Sequence, residues 1–276
     1  MERRTFAMSF KRRPFLRTAY QILQLMGVDP LLGLKAVAGI PKFLRDMYSY
    51  TEIGTDARFP LKLKYLFPVL SDYRSQAGAV RGHYFHQDLW AARKIVQSGV
   101  KEHVDVGSRI DGFVAHVLTV LPVTVVDIRP LIGAVEGLHF IQEDATTLAS
   151  IPDHSVASLS SLHAVEHFGL GRYGDHVDPS AWFKGMRSLA RVLAPGGHLY
   201  LSVPVGGERL EFNGQRIFAP STVLGTLEDL LLVSFSAIDD LGELRADCEP
   251  DDVANTQYAC GLFEFRRPFT QTNTES

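Results

Sequence analysis

Residues 123–128 read Val-Thr-Val-Val-Asp-Ile. Five of these six side chains are β-branched, and they do not alternate with polar residues. Such a run forms a strand covered on both faces, which places it in a parallel sheet between two layers of helices. The flanking segments fit that frame. Residues 86–99 put Leu89, Ala92, Ile95 and Val96 on one helical face, and Gly99 ends the pattern. A short strand, His103–Val106, follows. Asp111–Leu121 reads as a helix stopped by Pro122. After the β-branched run come strands in residues 138–144 and 156–164. A helix in residues 178–197 takes Asp178 as its cap and Pro179 in its first turn. A strand at residues 198–205 closes the series. Alternation of this kind, with short links, predicts a parallel sheet with helices on both faces.

The tail differs. Leu231–Ile238 and Tyr258–Arg267 are strand-like, and an acidic stretch rather than a helix separates them. We read that stretch as a solvated loop, and the two strands as antiparallel. Asn213-Gly214 between alternating residues predicts a hairpin near the site. The expected fold is therefore α/β: a Rossmann-like, mostly parallel sheet of about seven strands with an antiparallel C-terminal strand, plus a helical N-terminal appendage. The expected boundaries are residues 1–79 for the appendage, 80–270 for the α/β domain and 271–276 for a disordered tail.

Charge and composition narrow the function. A net charge of −3 gives no case for nucleic-acid binding, and 46% apolar residues suffice for a full core. Cys248 and Cys260 show neither metal nor redox spacing, which favours a reduced, cytoplasmic setting. Arg3, Arg4, Lys11, Arg12, Arg13 and Arg17 face only Glu2 in the first residues. Asp29, Pro30 and Lys35 interrupt the apolar residues that follow, short of the ~18–20 a spanning helix needs. Two short amphipathic helices, about Pro14–Met26 and Leu31–Tyr48, are expected. Weak peripheral contact with an anionic membrane is the alternative reading of the basic residues.

Ligands of parallel α/β sheets sit at the carboxyl ends of the strands, where strand order reverses. Asp105, Asp127 and Asp144 fall at or just past three such ends. An acid after the second strand can accept both ribose hydroxyls of a nucleoside, and one after the third can accept an adenine amino group. Each can equally cap a helix or close a turn. Between the first strand and its helix the loop reads Gly107-Ser108-Arg109-Ile110-Asp111-Gly112. Gly107 keeps the first turn, but Arg109 stands where a second glycine is usual. Arg109 either pairs with a ligand carboxylate or forms a surface pair with Asp111.

Five segments together carry a family resemblance: "DVGS", "VVDI", "QEDA", "LHAVEHFG" and "RVLAPGGHLYLSVP". Over Lys101–Pro204 the chain resembles a class I S-adenosylmethionine-dependent methyltransferase. More narrowly, "GHYFHQDL", "HVDVGSRIDGFVAH", "GLGRYGDHVDP" and "FNGQRIF" are similar to a bacterial methyltransferase-like family of unknown function. The resemblance implies S-adenosylmethionine as cofactor, at a site including Asp105, Gly107, Ser108, Arg109, Asp127 and Asp144. It implies methyl transfer from that cofactor but supplies no acceptor; a small-molecule or glycan hydroxyl is our expectation. The alternatives are a non-catalytic binding or interaction module and an NAD-dependent oxidoreductase. Against the latter stands the missing Gly-x-Gly-x-x-Gly.

His163–His167 matches H-x-x-E-H, a zinc-peptidase pattern. No third ligand is recognisable downstream, so no metal is expected. His163 and His167 instead suit a general base at the end of the fourth strand, with Asp175 and His176 as further candidates. Tyr84, His86 and Gln87 either form a lid or pack before the first helix.

Overall fold

The computed structural model describes Tyr20, residues 22–54 and residues 56–269. The chain divides into two compact units, Met1–Ala79 and Val80–Ser276. In the first, the main element is helix α1, Pro30–Ile53. The Asp29 carboxylate accepts the Leu31 and Leu32 N–H groups, and Pro30 supplies the fixed φ of the first turn. The helix runs five residues past the predicted Tyr48. Gly39 is its buried residue, and a Cβ there would lie 2.0 Å from the Leu70 carbonyl oxygen. The backbone around Leu70 thus crosses directly over the helix. Of the predicted Pro14–Met26 helix, Tyr20 and residues 22–25 are helical, and residues 14–19 and 21 lie outside the described residues. The six basic residues and the 271–276 tail lie outside the described residues. No helix among the described residues is long and apolar enough to cross a membrane.

The second unit holds an eight-stranded sheet. Its strands are β1 (His103–Val106), β2 (Val123–Asp127), β3 (Leu138–Gln142), β4 (Val156–Leu162), β5 (Leu193–Val205), β8 (Leu231–Ile238), β9 (Leu244–Arg245) and β10 (Ala259–Arg266). The order is β3-β2-β1-β4-β5-β10-β8-β9. β1 to β5 pair in parallel, whereas β10 is antiparallel to both β5 and β8. The expected mixed α/β sheet is therefore present, with the two-residue β9 bringing the count to eight.

Period-two alternation feeds two cores. Leu199, Leu201 and Val203 of β5 face one core with Met186 and Leu189 of helix α4 (Ala181–Val192). Tyr200 faces the other with Trp90, Ala91 and Ile95 of helix α2 (His83–Ser98). Helices thus cover both faces. Val96, placed on the buried face by its spacing, is 42% exposed.

Several local expectations need correction. The first crossover helix opens as a π turn, Ile110–Val114, and continues as α3, Ala115–Leu118. It ends three residues before the predicted Leu121, consistent with the bias against helix just ahead of Pro122. The N-cap of α4 is Ser180, not Asp178. Asp178 acts earlier, accepting the Ser180 N–H at 2.8 Å and an ion pair from Lys184. The links β2–β3 and β3–β4 contain no helix. The acidic segment before β10 keeps most of its acids exposed, as expected, but it is also tied down. Buried Asp239 accepts the Leu241 and Glu243 N–H groups, and Asp240 accepts those of Gln257 and Tyr258. The predicted hairpin is formed by β6 (Arg209–Glu211) and β7 (Gln215–Ile217), with Asn213 at φ 61°.

Candidate active site

A cavity of about 320 Å³ opens at the carboxyl ends of β1 to β4. Strand order reverses between β1 and β4, so the cavity occupies the switch point where ligands of such sheets bind. Gly107, Arg109, Asp127, Asp144, His163 and His167 line it, as does Asp175.

Gly107 is the glycine the first loop cannot lose. Its φ is 76°, its N–H donates to the Val126 carbonyl, and a Cβ would lie 2.9 Å from the Ala164 Cβ. Asp105 and Ser108 do not reach the cavity. Asp105 is fully buried beneath the loop and accepts the Ser108 N–H (3.0 Å), the Ser108 hydroxyl (2.5 Å) and the Ser160 hydroxyl (2.5 Å). Burial pushes its carboxyl up to about 6, against the pull of those donors. Ser108 in turn accepts the Leu162 N–H, which staples the loop to β4. The pair shapes the site from below.

Arg109 is paired with Asp111 through two contacts, 3.1 Å from Nε and 2.9 Å from an Nη, and its guanidinium lies 5.0 Å from the Tyr84 ring centre. The Asp111 partner is present, and the guanidinium still borders the cavity. Asp127, at the tip of β2, holds Arg129 in a fork at 2.9 and 2.5 Å and also accepts the Arg129 N–H. Asp144 accepts the Thr146 N–H at 2.8 Å, closing a turn after β3. Asp175 accepts the N–H groups of Gly169 (2.7 Å) and Tyr173 (3.2 Å), so it organises the loop after β4.

The two histidines differ. His163, at φ 50° just past β4, has both ring nitrogens engaged. Nδ1 lies 2.6 Å from the Glu166 carboxyl and Nε2 lies 3.2 Å from His83 Nδ1. Burial opposes its charge, but Cys260 and Glu166 beside the ring outweigh burial and hold it well above the usual histidine range. His167 places Nδ1 2.7 Å from the Gly214 carbonyl at the hairpin tip, so Nδ1 carries the proton and Nε2 is left as an acceptor. Burial holds its pKa below the usual value. Glu166 is the group the sequence reading left without a role. It is fully buried against both histidines, and its Oε2 has no hydrogen-bond partner.

Comparison with known proteins fits this architecture. A family model described as "Caenorhabditis protein of unknown function, DUF268" matches residues 115–243, under half of the chain. That description names Caenorhabditis where the motifs resembled a bacterial family. No curated protein matches the sequence. Among solved structures, the [4+2]-cyclase SpnF is similar at 15% identity, with 67% of this chain and 80% of that chain covered and a TM-score of 0.50. The N-methyltransferase NodS from Bradyrhizobium japonicum WM9, in complex with S-adenosyl-L-homocysteine, is 16% identical over 68% of this chain and 89% of its own, with a TM-score of 0.46. At such identity the likeness to SpnF is one of fold.

Proposed function

We propose that the second unit binds S-adenosylmethionine in this cavity and transfers its methyl group to a small-molecule or glycan hydroxyl. The observation that carries the reading is convergence. Gly107, Asp127 and Asp144, from the ends of three successive strands, meet His167 in one cavity at the switch point. The cofactor supplies a methyl group already activated on sulfur, so the protein's work is positioning. Gly107 allows close approach of the loop backbone. Asp127 accepts the ribose hydroxyls once it has released Arg129. Asp144 faces the adenine edge, and Arg109 faces the amino-acid carboxylate. His167 takes the acceptor's proton on Nε2 while the Gly214 carbonyl fixes the tautomer. His163 is unsuited to that role, because both its nitrogens already have partners.

Calorimetric titration of the intact chain with S-adenosylmethionine, S-adenosyl-L-homocysteine and NAD tests the proposal. The first two should bind and NAD should not, since a pyrophosphate needs the close backbone approach of a second glycine, and Arg109 stands in that place. NAD binding alone, or no binding at all, would overturn it. Binding without turnover would favour the non-catalytic alternative.

A further inference from the structure

We propose a transition-metal site, of zinc type, formed by His83, His163 and Cys260 beside the proposed cofactor cavity, which His163 also lines. One ring nitrogen from each histidine and the Cys260 sulfur lie within 4.8 Å of one another. His163 Nε2 and His83 Nδ1 are 3.2 Å apart. Two donors bound to one tetrahedral zinc, at about 2.0 Å for nitrogen and 2.3 Å for sulfur, sit roughly 3.3–3.6 Å apart, so the cluster is near the required size. The two ring planes differ by only 8° and face each other edge to edge. Binding therefore needs a turn of the half-buried His83 ring at the start of α2.

The surroundings match a metal site. Metal-bound histidines commonly donate their second N–H to a carboxylate, which fixes the tautomer. His163 Nδ1 makes such a contact with Glu166 at 2.6 Å, and Glu166 is fully buried with its Oε2 unpartnered. A thiolate with two imidazoles selects zinc-like ions over magnesium or calcium. Three protein ligands leave one coordination position for water or an acceptor oxygen. On binding, Cys260 gives up its thiol proton, His163 releases the proton on Nε2 and keeps the one on Nδ1 toward Glu166, and His83 carries its ring proton on Nε2. His167, the second histidine of the H-x-x-E-H pattern, is not a ligand. Its Nδ1 is held by the Gly214 carbonyl.

The test uses the full-length chain. Bound zinc is counted by elemental analysis, and the chelator-treated protein is titrated with Co²⁺. Wild type should hold one zinc per chain, and the Co²⁺ form should show an intense near-ultraviolet thiolate charge-transfer band. His83→Gln should weaken binding at least about 100-fold, and Glu166→Gln about 10–100-fold. Cys260→Ser should lose the charge-transfer band. His167→Gln should leave both stoichiometry and spectrum unchanged. His83 is half-buried, so its variant keeps the test decisive if the core variant Cys260→Ser fails to fold. Wild type without stoichiometric metal, a Co²⁺ spectrum lacking the thiolate band, or loss of metal in His167→Gln but not in His83→Gln would overturn the site. Metal content and cofactor titration are separate readouts, so neither proposal stands or falls with the other.

Discussion

Gly107→Ala is the sharpest test of how the loop is built. The residue sits at φ 76°, and the left-handed region costs alanine about 1–2 kcal/mol. The added Cβ would lie 2.9 Å from the Ala164 Cβ, where two carbons prefer about 3.5–4.0 Å. Ala164 is itself buried and the loop is stapled to β4 through Ser108, so relief requires backbone movement. Overpacking of this kind costs about 1–3 kcal/mol. The expected total is about 2–5 kcal/mol. Ala164→Gly removes the facing methyl group but not the φ penalty, so the double variant should recover the steric part, a coupling of about 1–3 kcal/mol. Trp90 and Trp182, the chain's two tryptophans, both lie in the second unit, so fluorescence-detected urea unfolding follows the relevant domain. A single-variant cost under about 0.5 kcal/mol, or zero coupling, would refute the reasoning.

Asp127→Ala should weaken S-adenosyl-L-homocysteine binding by roughly 10–150-fold, the equivalent of about 1.5–3 kcal/mol for a charge-assisted contact. Arg129→Ala, which frees Asp127, should bind at least as tightly as wild type, and calorimetry measures both. His167→Gln should lower initial rates on an identified hydroxyl acceptor by ~10²–10⁴ with cofactor affinity retained; full activity would place the base elsewhere. The raised Asp105 carboxyl, at about 6, means the folded state keeps a proton that the unfolded chain releases near 3.9. Stability should therefore fall by about 3 kcal/mol as pH rises from 4 through 6 and then level off. Asp105→Asn should flatten that pH dependence in urea titrations, and an unchanged slope would contradict it.

The parallel core was legible because its determinants are local. Val123–Asp127 is apolar on both faces and His103–Val106 ends at a glycine, so pattern alone placed both strands. What escaped depends on tertiary contact. Asp105 looked like a ligand because strand-end acids often are, but Ser108 and Ser160 enclose it from positions 3 and 55 residues away. Asp239 looked solvated because its neighbours are acidic, yet its partners are backbone amides within the same turn. Glu166 was visible only as part of an H-x-x-E-H string. Its meaning comes from His83 and Cys260, which lie 80 and 97 residues from His163. No spacing rule connects these three; sheet order does. β4 ends beside β5, β5 pairs with β10 through Pro204 and Cys260, and α2 starts at the same edge.

The most direct measurement for the central claim is a crystal structure of the chain with S-adenosyl-L-homocysteine. The ribose hydroxyls should take the place of the Arg129 fork on the Asp127 carboxylate, the adenine edge should face Asp144, and the sulfur should open toward His167 Nε2. An unbroken Asp127–Arg129 pair with the ligand bound elsewhere would contradict the assignment.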